Sequence, residues 1–368
     1  MRVCPSCQSR YLGDDPFCSK DGQSTIEADP NIRFDPLIGS NVGNYKITGL
    51  LGEGGMGAVY KAEHPSIGRT VAIKVLRGEY AYRQDTIERF FNEARAVNQI
   101  RHENIVDIID FGLLNDQRPY FIMEYLEGCD LDGHLRKRGA TSLTEALDIM
   151  MPVLSALQAA HDENIIHRDL KPENIFLYER KHGGRVVKLL DFGIAKLLDA
   201  KEQFHKTNTG SIIGTPAYMS PEQAAGRKDI DHRADVYAAG IILYELLVGE
   251  PPFDGDTALE IVHKQWKEKP PPPRSKRPDL PEEFEQIIYA ALEKDRDKRI
   301  QSASQFALRL KAAISKVNIS HARPSLKPTI APEVKLPSSP GVAGLRAALQ
   351  SKKEPTPLIQ KGSNSAAA

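Results

Sequence analysis

A chain of 368 residues is long enough for one two-lobed domain of about 250 residues with appendages, or for two domains of moderate size. Lysine plus arginine and aspartate plus glutamate stand at 49 each, so bulk charge gives no case for nucleic acid or an anionic membrane as an obligatory partner. No run of about 18 apolar residues occurs, the start MRVCPSC lacks the apolar core of a secretion signal, and four cysteines do not suggest a disulfide scaffold; the expectation is a soluble cytoplasmic protein without a membrane span.

Residues 1–28 are rich in Cys, Gly and Asp and too few to bury a core unaided. CPSC spaces Cys4 and Cys7 for one tetrahedral metal, and CSKDG supplies Cys18 and Asp21 at the same interval. The pattern is similar to zinc ribbons in which Asp replaces the fourth Cys. Two readings stand: a zinc-ribbon-like module with Cys4, Cys7, Cys18 and Asp21 as Zn²⁺ ligands, or a metal-free or redox-active flap. Residues 29–44 mix Pro, Gly and Asn without periodicity and read as a linker.

Three strand-like runs follow, YKITGLL from Tyr45, GAVYKAEH from Gly57 and TVAIKVL from Thr70. Between the first two lies GxGxxG at Gly52, Gly54 and Gly57, a spacing that serves two unrelated ways of holding a nucleotide. In one, the glycines open a helix under a dinucleotide pyrophosphate; in the other, they turn between two strands that close over a triphosphate. No helical repeat follows Gly57, and Lys74 rather than an acidic residue stands about 20 positions on, so the dinucleotide reading fails.

The stretch DTIERFFNEARAVNQIR is helical, with Ile87, Phe90, Phe91, Ala94 and Val97 at three- and four-residue steps. Beyond Gly128 the chain turns predominantly helical, through SLTEALDIMMPVLSALQAAHDEN, DVYAAGIILYELLVG, EEFEQIIYAALEKD and ASQFALRLKAAISKV. A small β-rich lobe before a larger helical one makes the class α+β. Pro270–Pro273 read as a loop, because helical periodicity resumes from Pro281. After Val317 the composition shifts to Pro, Ser, Lys and Ala, with seven Lys or Arg against two Glu, and residues 317–368 read as a disordered tail.

The chemistry concentrates in IHRDLKPEN, residues 166–174, in Asp191-Phe192-Gly193, and in GTPAYMSPE from Gly214. In that order with the glycine motif and VAIK, over residues 45–313, these motifs resemble the eukaryotic-like (Hanks-type) Ser/Thr protein kinases, bacterial members most closely. The resemblance implies a bilobal kinase fold over residues 45–316 and transfer of the γ-phosphoryl group of ATP to protein hydroxyls, with Mg²⁺.

Position by position, the resemblance implies the following. Gly52, Gly54 and Gly57 let backbone amides close over the phosphates. Leu51, Val59, Ala72 and Phe176 enclose adenine, Phe176 as the floor. Met123 is the gatekeeper, Glu124 and Leu126 form the hinge, and Asp130 meets the ribose. Lys74 touches the α- and β-phosphates and is held by Glu93, nineteen positions later. Asn174 and Asp191 ligate Mg²⁺, Asp169 accepts the proton of the substrate hydroxyl, and Lys171 offsets charge on the γ-phosphoryl group. Lys171 with Thr215 matches Ser/Thr rather than tyrosine kinases. Asp235 braces the catalytic loop, and Arg299 pairs with Glu222. Ser220 replaces the commoner Ala.

Arg168 next to Asp169 implies activation by phosphate on the segment FHKTNTGSIIGT, at Thr207, Thr209 or Ser211, through trans-autophosphorylation in a transient homodimer. The expected partners are therefore protein substrates and a second copy of the chain. The alternative is a pseudokinase or scaffold, against which Lys74, Glu93, Asp169, Asn174 and Asp191 are all intact. A small-molecule phosphotransferase is disfavoured by GTPAYMSPE.

Overall fold

The computed structural model describes residues 2–4, 10–11, 16–19, 22–27, 35–54, 57–81, 83–179, 184–192 and 216–321. At the N-terminus three two-residue strands, β1 (Arg2–Val3), β2 (Arg10–Tyr11) and β3 (Ile26–Glu27), form an antiparallel sheet with β1 central. Cys4 and Cys18 are buried. Cys18 opens a tight loop in which its N–H donates to the Gln23 carbonyl at 2.7 Å and its own carbonyl accepts from Gly22 at 2.9 Å. Cys7 and Asp21 lie outside the described residues, and among those described no three His, Cys, Asp or Glu side chains converge as a metal site.

The small lobe is one antiparallel sheet of β4 (Asn41–Val42), β5 (Tyr45–Glu53), β6 (Gly57–Glu63), β7 (Thr70–Leu76), β8 (Ile108–Leu113) and β9 (Pro119–Glu124), in the order β4-β5-β6-β7-β9-β8. Alternation along β7 sends Val71, Ile73 and Val75 to one face, where they pack with Ile47, Tyr60 and Ile122. Ala72 and Leu76 point to the other, with Phe121 and Met123, against Phe90, Ala94 and Val97 of helix α1 (Gln84–Ile100). The expected helix and the three expected strands are thus all present. Because Lys74 shares the parity of Ala72, the same alternation puts its side chain on the α1 side of the sheet.

In the large lobe, α2 (Leu131–Arg138) and α3 (Leu143–Asp162) precede a small sheet of β10 (Gly128–Asp130), β11 (Ile175–Glu179) and β12 (Arg185–Leu189). Then come α4 (Pro221–Ala224), α5 (Arg233–Val248), α6 (Ala258–Lys267), α7 (Pro273–Lys276), α8 (Glu282–Ala291) and α9 (Ala303–His321). Helix α5 is buried from Ala234 through Leu247, as an all-round apolar helix must be, and α3 and α8 pack against it. Pro273 starts α7, so only the first three of the four prolines are loop. The two lobes join where Val106 donates to the Leu189 carbonyl at 3.0 Å and Leu189 to the Asn104 carbonyl at 2.8 Å, which sets the end of β12 beside the small-lobe sheet.

Candidate active site

The loop between α3 and β11 carries His167, Arg168, Asp169, Lys171 and Asn174, and it is anchored from below by α5. One buried carboxylate does this: Asp235 accepts the backbone N–H groups of His167 and Arg168, each at 2.8 Å, and His161 Nε2–H at 2.8 Å. Burial opposes its ionisation, yet the hydrogen bond and charge of His161 outweigh it and hold the Asp235 carboxyl below the ordinary range. The clamp keeps Arg168 at φ 62°, a left-handed conformation that costs a non-glycine residue about 1–3 kcal/mol. A second brace comes from Gln223 on α4, whose Nε2–H donates to the Arg168 carbonyl at 2.8 Å. Ser220 supports Gln223 through a reciprocal capping box, so the unusual serine caps α4.

His167 is fully buried, and its ring lies 4.6 Å from that of Phe192. The network assigns its tautomer: Nε2–H donates to the Leu190 carbonyl at 3.0 Å and Nδ1 accepts from the Asp169 N–H at 3.3 Å. Burial lowers its pKa, in keeping with that neutral form.

Five side chains gather on this scaffold. Asn174 Nδ2 donates to the Asp169 carbonyl at 2.8 Å and approaches Asp169 Oδ2 at 3.3 Å, which leaves its carbonyl oxygen outside that pairing. Lys171 Nζ stands 3.9 Å from Asp169 Oδ2. Leu190 N–H donates to the backbone carbonyl of Asn174 at 2.9 Å, which fixes the neighbouring Asp191. Asp191, at φ 45°, accepts Lys74 Nζ–H at 2.7 Å, and that ammonium lies 5.6 Å from the Phe121 ring centroid. Burial acts to raise the Asp191 pKa, but the charge and hydrogen bond of Lys74 prevail and lower it.

The expected nucleotide residues are spread over β5, β6, β7, β9, β10 and β11. Register pairs Val59 with Lys74 and Ala72 with Met123, so the four stand on neighbouring rows of the sheet. Leu51 is exposed on β5. In β11, Ile175 and Leu177 point into the core while Phe176, opposite Asp130 and Lys188, faces the other way. Asp130 Oδ1 accepts Gly133 N–H at 2.6 Å and so caps α2. At Gly52 and Gly54 an added β-carbon would meet no atom of the described residues closer than 3.8 Å; at Gly57 it would strike the Val75 carbonyl at 2.5 Å. Gly57 is therefore required by the strand packing itself. Glu93 is on α1, but its side chain lies outside the described residues, as do Thr207, Thr209, Ser211 and Thr215. Leu126 follows β9 and is half-buried.

Three contacts were not read from the sequence. Lys188, buried in the run VVKLL, donates to Glu124 Oε1 at 2.5 Å and to the Ile105 carbonyl at 3.0 Å, tying β12 to the end of β9; a lone cation in an apolar strand was the available signal. The Gln223 brace had none. Glu245 of α5 accepts the Tyr218 hydroxyl at 2.7 Å under the turn Pro216–Tyr218.

Burial, aided by Asp132 and Glu173, raises the Glu245 pKa to about 7. The native state therefore binds more protons than the unfolded chain between the ordinary value of 4.5 and about 7, and this stabilisation, full below that window, is lost as pH rises through it. Glu245→Gln should gain up to about 3 kcal/mol relative to wild type between about pH 5 and about pH 8, read from urea unfolding midpoints. A constant difference across that range would contradict the buried, proton-binding carboxyl.

Sheet and helical lobe form a protein kinase fold, and the protein kinase domain family matches residues 45–309. The chain belongs to that family. It is 45% identical over 296 residues to the serine/threonine-protein kinase Pkn1 of Myxococcus xanthus, covering 80% of this chain and 41% of that protein. It is 39% identical over 288 residues to PrkC of Bacillus subtilis, covering 78% and 43% respectively, so it spans about two-fifths of either relative's length. The crystal structure of the Mycobacterium tuberculosis PknI kinase domain superposes with a TM-score of 0.59 at 27% identity, covering 75% of this chain and 98% of that one.

Proposed function

We propose that the protein is an ATP- and Mg²⁺-dependent serine/threonine protein kinase. The observation that carries this reading is the single connected set Lys74–Asp191, Leu190–Asn174, Asn174–Asp169, held rigid by Asp235. Asp191 and the side-chain carbonyl of Asn174 are the hard oxygen donors that suit Mg²⁺; when bound, the ion would neutralise phosphate charge. Asp169 orients the acceptor hydroxyl and takes its proton, Lys171 stabilises charge on the transferred group, and Lys74 positions the phosphates. Leu51, Val59, Ala72, Met123 and Phe176 shape the adenine pocket, with the backbones of Glu124 and Leu126 as hinge and Asp130 at the ribose. Protein substrates and a cytoplasmic location belong to the same proposal.

Activation by phosphate at Thr207, Thr209 or Ser211, placed in trans within a transient homodimer, is supported by Arg168: its Nε is buried without a hydrogen-bond partner among the described residues. We further propose the organisation read from the sequence, with a module at 1–28, a linker at 29–44, the kinase domain at 45–316 and a tail from 317. Zinc held by Cys4, Cys7, Cys18 and Asp21 is supported by the two buried thiols and the tight loop after Cys18. Metal analysis should find zinc in the wild type and a loss in Cys4→Ser; equal content in both removes the zinc proposal.

Incubation with γ-labelled ATP and a Ser/Thr-rich protein tests the enzyme reading. The expected result is Mg²⁺-dependent label on phosphoserine and phosphothreonine, with none on phosphotyrosine. Absence of transfer from a preparation phosphorylated on the 193–215 segment would favour the scaffold.

A further inference from the structure

Away from the cleft, α4, α6 and the α8–α9 connection enclose a cavity of about 260 Å³, lined by Glu222, Arg227, Trp266, Lys294 and Arg296 among others. Its charged groups are paired with one exception. Glu222 holds Arg299 at 2.7 Å, Arg227 holds Asp229 at 2.9 Å, Arg296 holds Asp229 at 2.6 Å, and the lining carboxylates Asp295 and Asp297 meet Lys298 at 3.6 Å and Arg233 at 2.8 Å. Lys294 has no carboxylate at ion-pair distance among the described residues; its Nζ donates to the Tyr237 hydroxyl at 2.8 Å and lies 4.2 Å from the Phe253 ring centroid. The Tyr237 hydroxyl spends its own proton on Gln265 Oε1 at 2.5 Å, and Gln265 donates in turn to the Ala217 carbonyl. The amine thus ends a directed hydrogen-bond chain, on an aromatic floor, at the wall of an open cavity.

We propose that Lys294 is an acylation site that takes a small activated acyl group. The amine lone pair attacks the acyl carbon, the bond from that carbon to the phosphate oxygen or thiolate sulfur breaks with its electron pair, and the amine proton leaves with the departing group. The product is a neutral amide. Arg227 and Arg296 line the same cavity as Lys294, both paired with Asp229.

Burial, then repulsion by Arg299, brings the Lys294 pKa down to about 7, with Glu268 and Glu293 opposing too weakly to restore it. A large fraction of the amine is therefore unprotonated near neutrality, against roughly one part in 10³ for an ordinary lysine.

The test is incubation of the folded full chain with acetyl phosphate and, separately, acetyl-coenzyme A, with acylation of each lysine followed by peptide mass spectrometry. Lys294 should react on the order of tenfold faster than the exposed Lys269 and Lys298, because lower intrinsic nucleophilicity offsets part of the gain in free amine. Its rate should level off above about pH 8, and its advantage should vanish in urea. A lead with one reagent alone identifies the donor as acyl phosphate or thioester. Labelling of Lys294 no faster than Lys269 and Lys298 with both reagents, or a rate that keeps rising in step with theirs, overturns the proposal.

Discussion

Asp169→Asn should lower kcat for phosphoryl transfer by about 10²–10⁴-fold while leaving KM for ATP nearly unchanged. The substitution keeps the shape of the side chain and can keep its approach to Asn174 Nδ2, now 3.3 Å. The backbone carbonyl that Asn174 binds at 2.8 Å is untouched, and Asp235 still clamps the two preceding N–H groups. What disappears is the capacity to accept a proton from the substrate hydroxyl. Because Asp169 is read as facing the acceptor rather than the nucleotide, ground-state binding of ATP should survive. Steady-state assays with a Ser/Thr peptide, together with a thermal melt showing an unchanged fold, check this. Equal rates in variant and wild type would remove Asp169 from the chemistry.

The second large effect concerns stability. Arg299 is fully buried and meets Glu222 through two hydrogen bonds, at 2.7 and 2.9 Å, while also donating to the Arg233 and Glu293 carbonyls. Arg299→Ala leaves the Glu222 carboxylate buried and unpaired, together with two carbonyl acceptors. Removing one partner of such a pair costs about 3–5 kcal/mol, and for a domain of this size that is on the order of 10 °C in melting temperature. Burial acts to raise the Glu222 pKa, but its bond to Arg299 outweighs this and lowers it. The pair therefore stabilises the fold above the ordinary carboxylate value of 4.5 and loses that contribution as pH falls through the depressed value. Arg299→Lys should recover only part of the loss, since an ammonium cannot make the two-pronged contact. Urea titrations of the three proteins at neutral and acid pH measure it; a deficit in Arg299→Ala below about 1 kcal/mol would mean that the pair is not what ties α4 to the large lobe.

Much of this was legible in the sequence for identifiable reasons. TVAIKVL was readable as a strand, but its apolar residues run on without alternating, so the side on which Lys74 emerges became visible only in the structure. DVYAAGIILYELLVG was readable as a helix, and its near-continuous apolar character accounts for the burial on every side seen in the structure. The roles of Asp235, Glu222 and Arg299 came from resemblance to the kinase motifs, since nothing local to Asp235 reveals that it will clamp a loop 67 residues earlier. Contacts made by unlike elements far apart in the chain stayed hidden, such as Gln223 to Arg168, 55 residues apart, and Lys188 to Glu124, 64 apart. Gly57 taught a different lesson. Its place in the glycine motif was visible, but the carbonyl of Val75 that forbids a side chain there belongs to the neighbouring strand.

The most direct test is a crystal structure of the protein with Mg²⁺ and a non-hydrolysable ATP analogue. The nucleotide should lie between the β-rich and helical lobes, with the metal on Asp191 and the carbonyl oxygen of Asn174, Lys74 on its phosphates, and the Asp169 carboxylate facing the terminal phosphoryl group. A nucleotide bound elsewhere, or one in this cleft whose metal ignores Asp191 and Asn174, would contradict the account.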